Sequence, residues 1–166
     1  NYYLPKIINS KTIKDRRGFL QEIVKDKSKK FKFSLLVKSK KNVFRGMHFQ
    51  EKKQQEKILV VAKGKIIDFC LDLRKKSSSF GKIFKFKLKQ NTILFIPKGF
   101  AHGYKTLEND TLLIYFLSEF RFKKFERTIN PFEKILKLNL SKKLIFSKKD
   151  QKGMSFEKFK NKIKSL

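Results

Sequence analysis

The amino-acid sequence predicts an all-β protein that ends in a short helix. Three observations carry this prediction: strand-like apolar runs recur at short intervals, turn residues separate them, and helical spacing of apolar residues occurs only near the end. Many short strands with such spacing are typical of a sandwich, a jelly roll or a barrel. The predicted strands are Gly18–Val24, Phe31–Lys38, Val43–Gln50, Lys57–Lys63, Lys65–Leu73, Lys82–Lys89, Thr92–Ile96 and Thr111–Leu117.

The spacing of apolar residues differs from one run to the next. Lys82–Lys89 mixes apolar residues and lysines at near period two, which is typical of a strand with one solvent-facing side. The continuous apolar runs Leu59–Ala62 and Ile66–Ile67 indicate strands that are covered on both faces. Turn signals interrupt the runs at three places: a predicted tight hairpin at Lys63–Lys65, a loop at Ser77–Gly81 and a bend at Pro97–Gly99.

The C-terminal segment has a different pattern. Phe156, Phe159 and Ile163 recur at helical spacing between lysines, so an amphipathic helix is predicted over residues 155–165. No internal repeat or linker divides the chain, and a length of 166 residues suits one domain over residues 1–166.

Composition places the protein among globular chains. A hydrophobic content of 40% with 19 phenylalanines supports a sizeable core, and no apolar run approaches the roughly 20 residues that cross a bilayer. Residues 1–15 lack the apolar stretch of a secretory signal, so the expected location is the cytoplasm. The single cysteine, Cys70, cannot form an intrachain disulfide and is expected to be a buried thiol.

The formal net charge of +29 raises the question of a polyanionic partner. Only six of the 43 basic residues are arginines, the lysines are spread over nearly every segment, and no nucleic-acid-binding motif is present. The pattern therefore disfavours a nucleic-acid or membrane partner. It favours a small anionic substrate, such as one that carries a diphosphate.

The two histidines are the most informative candidates for chemistry. His48 and His102 each lie in a β-like apolar stretch, where a histidine can be either a hydrogen-bonded core residue or a proton carrier. Arg45, Lys57 and Tyr115 lie on predicted strands as well. Arg45 and His48 are three residues apart and would face opposite sides unless the strand bulges, which the intervening glycine permits.

Two other chemistries are disfavoured. A metal site of the cupin type needs about three histidines and a carboxylate around one ion, and this chain has two widely separated histidines. Cys70 has no neighbouring base in the sequence and lies in an apolar run, so it does not suit the role of nucleophile.

Several motifs, taken together, resemble the dTDP-4-dehydrorhamnose 3,5-epimerase family. The resemblance spans about residues 12–152 in unbroken order. The matching segments are Asp15–Phe19 with Glu22, Asn42–Gln50, Glu56–Val60, Gly64–Asp68, Asp72–Ser77 with Phe80 and Gly81, and Ile96–Tyr104.

The resemblance implies a cupin-type jelly roll, also described as a double-stranded β-helix barrel, that forms a homodimer and needs no metal or cofactor. It also implies an isomerase that inverts C3, C5 or both in a nucleotide-diphosphate-linked 4-keto-6-deoxy sugar, in the dTDP-rhamnose pathway of surface polysaccharide synthesis. A proton next to a ketone is weakly acidic. Its removal needs a base, a cation or hydrogen-bond donor at the enolate oxygen, and exclusion of water.

The resemblance also assigns roles to residues of this chain. His48 is the expected base, Lys57 the cation that stabilises the enolate, and Tyr115 the acid that returns a proton from the other side. Asp150 is the carboxylate expected to hydrogen-bond the catalytic histidine. The residues expected to contact the substrate are Arg17, Glu22, Arg45, Gln50, Asp68 and His102.

The chain also departs from the family pattern. Phe33–Val37 replaces a segment that often reads Gln-x-Asn-x-Ser, and Phe120 and Arg121 replace a tyrosine pair. These departures leave open a GDP-linked 4-keto heptose as substrate or inversion of a single carbon. Two other functions are separate alternatives: a 3,4-ketoisomerase, and a sugar-nucleotide-binding cupin without catalysis. The ketoisomerase is disfavoured because Phe49 and Gln50 follow His48, where such enzymes tend to have a His-x-His arrangement.

Overall fold

The computed structural model describes residues 3–141 and 143–164, which form twelve strands and two helices. The helices are α1 (Lys148–Gln151) and α2 (Phe156–Lys164), and single 3₁₀ turns occur at Lys123–Phe125 and Lys134–Leu136. The strands are β1 (Lys6–Ile8), β2 (Thr12–Asp15), β3 (Gly18–Gln21), β4 (Phe33–Ser39), β5 (Phe44–Gln50), β6 (Lys57–Lys63), β7 (Lys65–Asp72), β8 (Ile83–Lys89), β9 (Ile93–Ile96), β10 (Phe100–Thr106), β11 (Thr111–Leu117) and β12 (Glu126–Thr128).

Ten of these strands form two five-stranded antiparallel sheets. The first sheet has the order β1-β9-β6-β11-β4 and the second the order β12-β5-β10-β7-β8, while β2 and β3 pair with each other as a separate hairpin. Apart from β7 and β8, the neighbours within each sheet are not consecutive in sequence, as in a jelly roll. The all-β prediction is therefore confirmed, and the architecture is a cupin-type jelly roll with helices at its C-terminal end.

The core lies on both sides of the central strands. On β7, Ile66 and Cys70 pack between the two sheets, whereas Phe69 and Leu71 pack against the C-terminal segment. On β6, alternate residues likewise pack into separate hydrophobic clusters on the two faces of the strand. The predictions that these strands are covered on both faces and that Cys70 is a buried thiol are confirmed.

The predicted turn at Lys63–Lys65 is wrong in one respect. β6 and β7 do not pair with each other, because β6 belongs to the first sheet and β7 to the second. The short connection is therefore a corner between sheets and not a hairpin. Gly64 adopts φ +89° there, and an added Cβ would lie 2.6 Å from Thr111 Oγ1. The bend at Pro97–Gly99 also joins the two sheets, as β9 ends before it and β10 begins after it.

The loop at Ser77–Gly81 is held by one buried carboxylate. Asp72 accepts hydrogen bonds from Ser77 Oγ (2.8 Å), Ser79 Oγ (2.6 Å) and the Arg74 guanidinium (2.7 Å). Burial alone would raise the pKa of Asp72, but these donors outweigh it and lower the pKa to about 2. The Asp72–Ser77 motif therefore stabilises a turn next to β7.

The C-terminal helix agrees with the prediction over the part that the structure describes. α2 covers Phe156–Lys164, and its residues Phe156 and Phe159 are buried against the second sheet. Ser165 and the Ile163 side chain lie outside the described part of the chain. α1 is not among the predicted elements. Its first turn is capped by Ser147, whose Oγ accepts from the Asp150 N–H at 3.1 Å.

Candidate active site

A cavity of about 240 Å³ lies between the two sheets. β4, β6 and β11 of the first sheet form one side, and β5 and β10 of the second sheet form the other. Six of the ten predicted site residues line it: Arg45, His48, Gln50, Lys57, His102 and Tyr115.

A bulge in β5 brings Arg45 and His48 to the same cavity. His48 pairs with His102 and Arg45 with Tyr104, so the register between β5 and β10 shifts by one residue. Gly46 has φ +138°, and an added Cβ would lie 2.4 Å from the Cα of Gly103 on β10. The bulge that the intervening glycine permits in the sequence is thus present.

His48 forms a hydrogen-bonded pair with Asp150. The His48 Nε2 atom lies 2.6 Å from Asp150 Oδ1. Asp150 is 3% exposed whereas His48 is 40% exposed, so the imidazole is the member of the pair that faces the cavity. Burial raises the pKa of Asp150, but the hydrogen bonds from His48, Gly46 and Ser147 outweigh it and leave the pKa below its usual value. Asp150 is therefore an ionised acceptor for a His48 N–H.

A second histidine–carboxylate pair lies deeper in the barrel. His102 Nε2 is 2.6 Å from Asp68 Oδ2, and the Cys70 thiol donates to Asp68 Oδ1 at 3.3 Å. Burial lowers the pKa of His102, although the Asp68 carboxylate acts in the opposite direction. Asp68 does not line the cavity, so it acts on the cavity through His102.

Lys57 and Tyr115 lie on the side of the cavity that the first sheet forms. Desolvation in the cavity wall lowers the pKa of Lys57 below that of an ordinary lysine. Burial raises the pKa of Tyr115 well above its ordinary value, so its hydroxyl keeps its proton. The Tyr115 ring packs edge-on against the His102 ring at a centroid distance of 5.9 Å. Within residues 3–141 and 143–164, neither polar group has a hydrogen-bond partner in the protein.

Arg45 and Gln50 line the same cavity with part of their polar groups already engaged. Arg45 Nε donates to Ser39 Oγ at 3.2 Å, and that hydroxyl lies 3.3 Å from the Tyr104 hydroxyl. Gln50 Nε2 donates to the Phe120 carbonyl at 3.2 Å, so its amide also ties a loop to the cavity.

Arg17 and Glu22 lie away from this cavity. Arg17 is in the β2–β3 hairpin, where its exposed guanidinium bonds Asp15 Oδ2 at 2.6 Å, and Glu22 follows the hairpin on the surface. Neither lines the cavity of its own chain. Their predicted contact with a nucleotide stays a prediction that depends on a second copy of the chain.

The mouth of the cavity holds charged residues that sequence reasoning did not assign to the site. These residues are Arg121, Arg127 and Lys149. The Glu126 carboxylate forms salt bridges with Arg121 (2.7 Å) and with Lys149 (3.0 Å). Basic residues are too common in this chain to stand out, but Lys149 directly precedes the predicted Asp150. That proximity is the one signal that could have found it.

The arrangement suits proton transfer at carbon. An imidazole with an ionised partner, an ammonium and a phenol face a common space from two opposing sheets. Within the described ranges, no three residues among His, Cys, Asp and Glu group as they would to hold a metal ion. No described helix is long and apolar enough to cross a membrane. Fold and site together define a cupin-type protein with an acid–base centre.

Comparisons with known proteins identify the family. A family model for dTDP-4-dehydrorhamnose 3,5-epimerase matches residues 5–158. A dTDP-4-dehydrorhamnose 3,5-epimerase from Shigella flexneri is 32% identical over 162 residues, with 90% of each chain covered. One from Methanothermobacter thermautotrophicus is 39% identical over 83 residues, which are 49% of this chain and 45% of that relative.

Comparison with solved structures identifies the same family. A dTDP-6-deoxy-D-glucose-3,5-epimerase from Legionella pneumophila, in complex with dTDP-4-keto-L-rhamnose, superposes with a TM-score of 0.86 at 28% identity, covering 91% of this chain and 87% of the other. The Bacillus anthracis dTDP-4-dehydrorhamnose 3,5-epimerase with TDP and PPi bound gives 0.85 at 29%, covering 91% and 93%. The chain belongs to the dTDP-4-dehydrorhamnose 3,5-epimerase family and is an isomerase, a carbohydrate epimerase.

Proposed function

We propose that this chain inverts C3 and C5 of a dTDP-linked 4-keto-6-deoxy sugar. The observation that carries the proposal is the convergence of His48, Lys57 and Tyr115 on one cavity between the sheets. The names of solved relatives support the substrate class, since one is bound to dTDP-4-keto-L-rhamnose and another to TDP.

His48 is the proposed base. With its Nε2–H donated to Asp150, the imidazole carries its lone pair on Nδ1, which can take the proton from C3 or C5. The ionised Asp150 then stabilises the imidazolium that forms. This division of roles keeps the carboxylate out of contact with the substrate.

Lys57 and Tyr115 complete the proposed reaction. The Lys57 ammonium meets the oxygen at C4 as negative charge develops there during enolisation. Tyr115 lies on the opposite sheet from His48, so a proton that it donates arrives on the other face of the sugar ring. Removal on one face and return on the other is what inversion requires.

The diphosphate is proposed to lie at the mouth of the cavity. Arg45, Arg121, Arg127 and Lys149 all line the cavity, and guanidinium groups bind phosphate oxygens in a bidentate manner. Asp68 orients His102, which we propose contacts the sugar, and Gln50 contacts it from the adjoining strand.

A homodimer is part of the proposal. The β2–β3 hairpin exposes three large apolar side chains, Ile13 (51%), Phe19 (52%) and Leu20 (61%), and it pairs with neither large sheet. An exposed apolar arm of this kind suits contact with a second copy, where Arg17 and Glu22 would reach the partner's nucleotide. We also propose a cytoplasmic location, because a substrate with a charged diphosphate does not cross a bilayer unaided.

The test is a solvent-exchange experiment. The chain is incubated in deuterated water with dTDP-4-keto-6-deoxyglucose, and the label at C3 and C5 is followed by NMR. Label at both carbons with formation of the inverted product supports the proposal. Label at only one carbon indicates single-centre epimerisation. Exchange only with GDP-linked sugars or heptoses indicates a different substrate. Binding without exchange indicates a sugar-nucleotide-binding protein without catalysis.

A further inference from the structure

The basic residues that line the cavity differ in what holds them. Arg121 and Lys149 are both paired with the Glu126 carboxylate. Arg127 is paired with Glu51 at 2.9 Å. A carboxylate partner orients a cation, but its negative charge also opposes the attraction of the cation for an anionic ligand. The charge of these three cations is therefore partly cancelled before a ligand arrives.

Arg45 is held by a hydroxyl instead. Its Nε–H donates to Ser39 Oγ at 3.2 Å, and Ser39 is 5% exposed. Because a guanidinium has only donors, the serine oxygen is the acceptor in this bond. Within residues 3–141 and 143–164, Arg45 forms no ion pair with a carboxylate. Its positive charge therefore stays available to a ligand in the cavity.

Tyr104 supports this serine from the neighbouring strand. The Tyr104 hydroxyl lies 3.3 Å from Ser39 Oγ, and Tyr104 is 3% exposed. Tyr104 is also directly opposite Arg45 in the β5–β10 pair, so their side chains point to the same face. Burial raises the pKa of Tyr104 above its ordinary value, so the phenol keeps its proton and adds no negative charge.

The three side chains link the two sheets across one end of the cavity. Ser39 is the last residue of β4 in the first sheet, whereas Arg45 and Tyr104 belong to the second. A long side chain that is ordered only when its ligand binds weakens the affinity by about two- to tenfold. Since Ser39 holds the guanidinium beforehand, much of this loss is avoided.

We propose that Ser39 and Tyr104 are positioning residues of Arg45: their neutral hydroxyls fix its guanidinium for the substrate diphosphate and leave its charge intact. The inference rests on the proposed function, in which Arg45 binds the diphosphate. Because both residues act through Arg45, their loss weakens binding of phosphate groups. The proton transfers at carbon are unaffected, so KM rises while kcat at saturating substrate stays unchanged.

Calorimetric titration with TDP and with inorganic pyrophosphate tests the inference. In Ser39→Ala the guanidinium loses its anchor, so the dissociation constants of both ligands should rise by about five- to tenfold. Tyr104→Phe removes only the outer hydroxyl and should raise them by about two- to threefold. Ser34→Ala is the matched control, because Ser34 lies on the exposed, opposite face of the same strand.

A double-mutant cycle separates positioning from a purely structural role. If Ser39 acts through Arg45, adding Ser39→Ala to Arg45→Ala should change the dissociation constant of TDP by less than about twofold. A further loss as large as in the single variant would overturn the inference. If Ser39→Ala does not fold, as judged by circular dichroism, the same cycle is run with Tyr104→Phe.

The remaining outcomes separate the inference from the proposed function. An unmodified chain that binds TDP but gives no deuterium exchange would contradict the epimerase function alone, since the cycle measures binding only. Dissociation constants that are unchanged in both Ser39→Ala and Tyr104→Phe would overturn the inference alone. An unmodified chain that binds neither TDP nor pyrophosphate would overturn both.

Discussion

At the scale of single residues, the cavity depends on groups whose charge is set by their partners or by burial. Asp150 stays ionised because His48, Gly46 and Ser147 donate to it, which outweighs the effect of its burial. Tyr115 stays protonated because burial disfavours its anion. The proposed base, with its ionised partner, and the proposed acid, with its proton, are therefore present at the same pH, which is the combination that proton exchange on two faces of a ring needs.

Replacement of Asp150 tests the histidine–carboxylate pair. In Asp150→Asn the charge that stabilises an imidazolium is lost, so kcat should fall by about a hundredfold or more. Steady-state kinetics measure this, with Asp110→Asn as a control because Asp110 pairs with Lys38 on the surface. An Asp150→Asn protein with unchanged kcat would rule out this role for the carboxylate.

The ammonium of Lys57 should determine the alkaline side of the pH profile. Since desolvation lowers its pKa, Lys57 loses its proton, and kcat/KM falls, at a lower pH than an ordinary lysine would give. Tyr115 stays protonated over the same range. In Lys57→Arg the charge persists, so the residual exchange rate should lack this alkaline decline. If the decline is unchanged in that variant, another group causes it.

At the scale of elements, the bulge in β5 is the feature that assembles the site. A regular strand would send Arg45 and His48 to opposite faces, but the register shift opposite His102 and Tyr104 brings both to the cavity. A glycine is needed at position 46 because the backbone there has φ +138° and approaches Gly103 so closely that a side chain would not fit.

Substitution of that glycine has a measurable cost. Gly46→Ala forces a Cβ to within 2.4 Å of the Gly103 Cα in addition to the backbone strain, so the free energy of unfolding should fall by at least about 2 kcal/mol. Gly18→Ala is the matched control, because Gly18 has φ +131° but no atom within 4 Å of an added Cβ. Urea denaturation compares them, and equal losses would contradict the importance of the close approach.

The elements also show what sequence reasoning can predict. Long runs such as Lys57–Lys63 and Thr111–Leu117 match β6 and β11 because their apolar patterns reflect burial on the sheet. The short strands β1, β2 and β12 were not predicted, since three or four residues carry too little pattern and their pairing depends on distant segments.

The same limit applies within the elements and the site. The predicted strand at residues 18–24 ends early, at Gln21, because its partner β2 is only four residues long. In the site, the family resemblance indicated His48 and Tyr115. The contribution of Tyr104, Arg121 and Arg127 depends on how the strands and the mouth come together in space, which no local pattern contains.

At the scale of the whole molecule, the net charge of +29 and the proposed dimer bear on substrate capture. A positive field attracts a diphosphate and raises its rate of encounter, and Arg121, Arg127 and Lys149 place part of that charge at the cavity. The β2–β3 hairpin adds Arg17, which in its own chain lies outside the cavity.

A mixing experiment tests whether Arg17 acts across a dimer. Arg17→Ala and His48→Asn homodimers should each be impaired at limiting substrate, whereas co-refolded mixed dimers contain one intact site. An equal mixture should therefore recover about one quarter of the unmodified activity. Recovery no greater than the average of the two variants would show that Arg17 does not serve a partner's site, and sedimentation velocity reports whether dimers form.

The account as a whole depends on His48 taking a proton from carbon next to a ketone. The most direct measurement is deuterium incorporation at C3 and C5 of dTDP-4-keto-6-deoxyglucose by His48→Asn in deuterated water, next to the unmodified chain. We expect no enzyme-dependent label at either carbon in the variant and label at both with the unmodified chain. Incorporation by His48→Asn at the unmodified rate would contradict the assignment of the base.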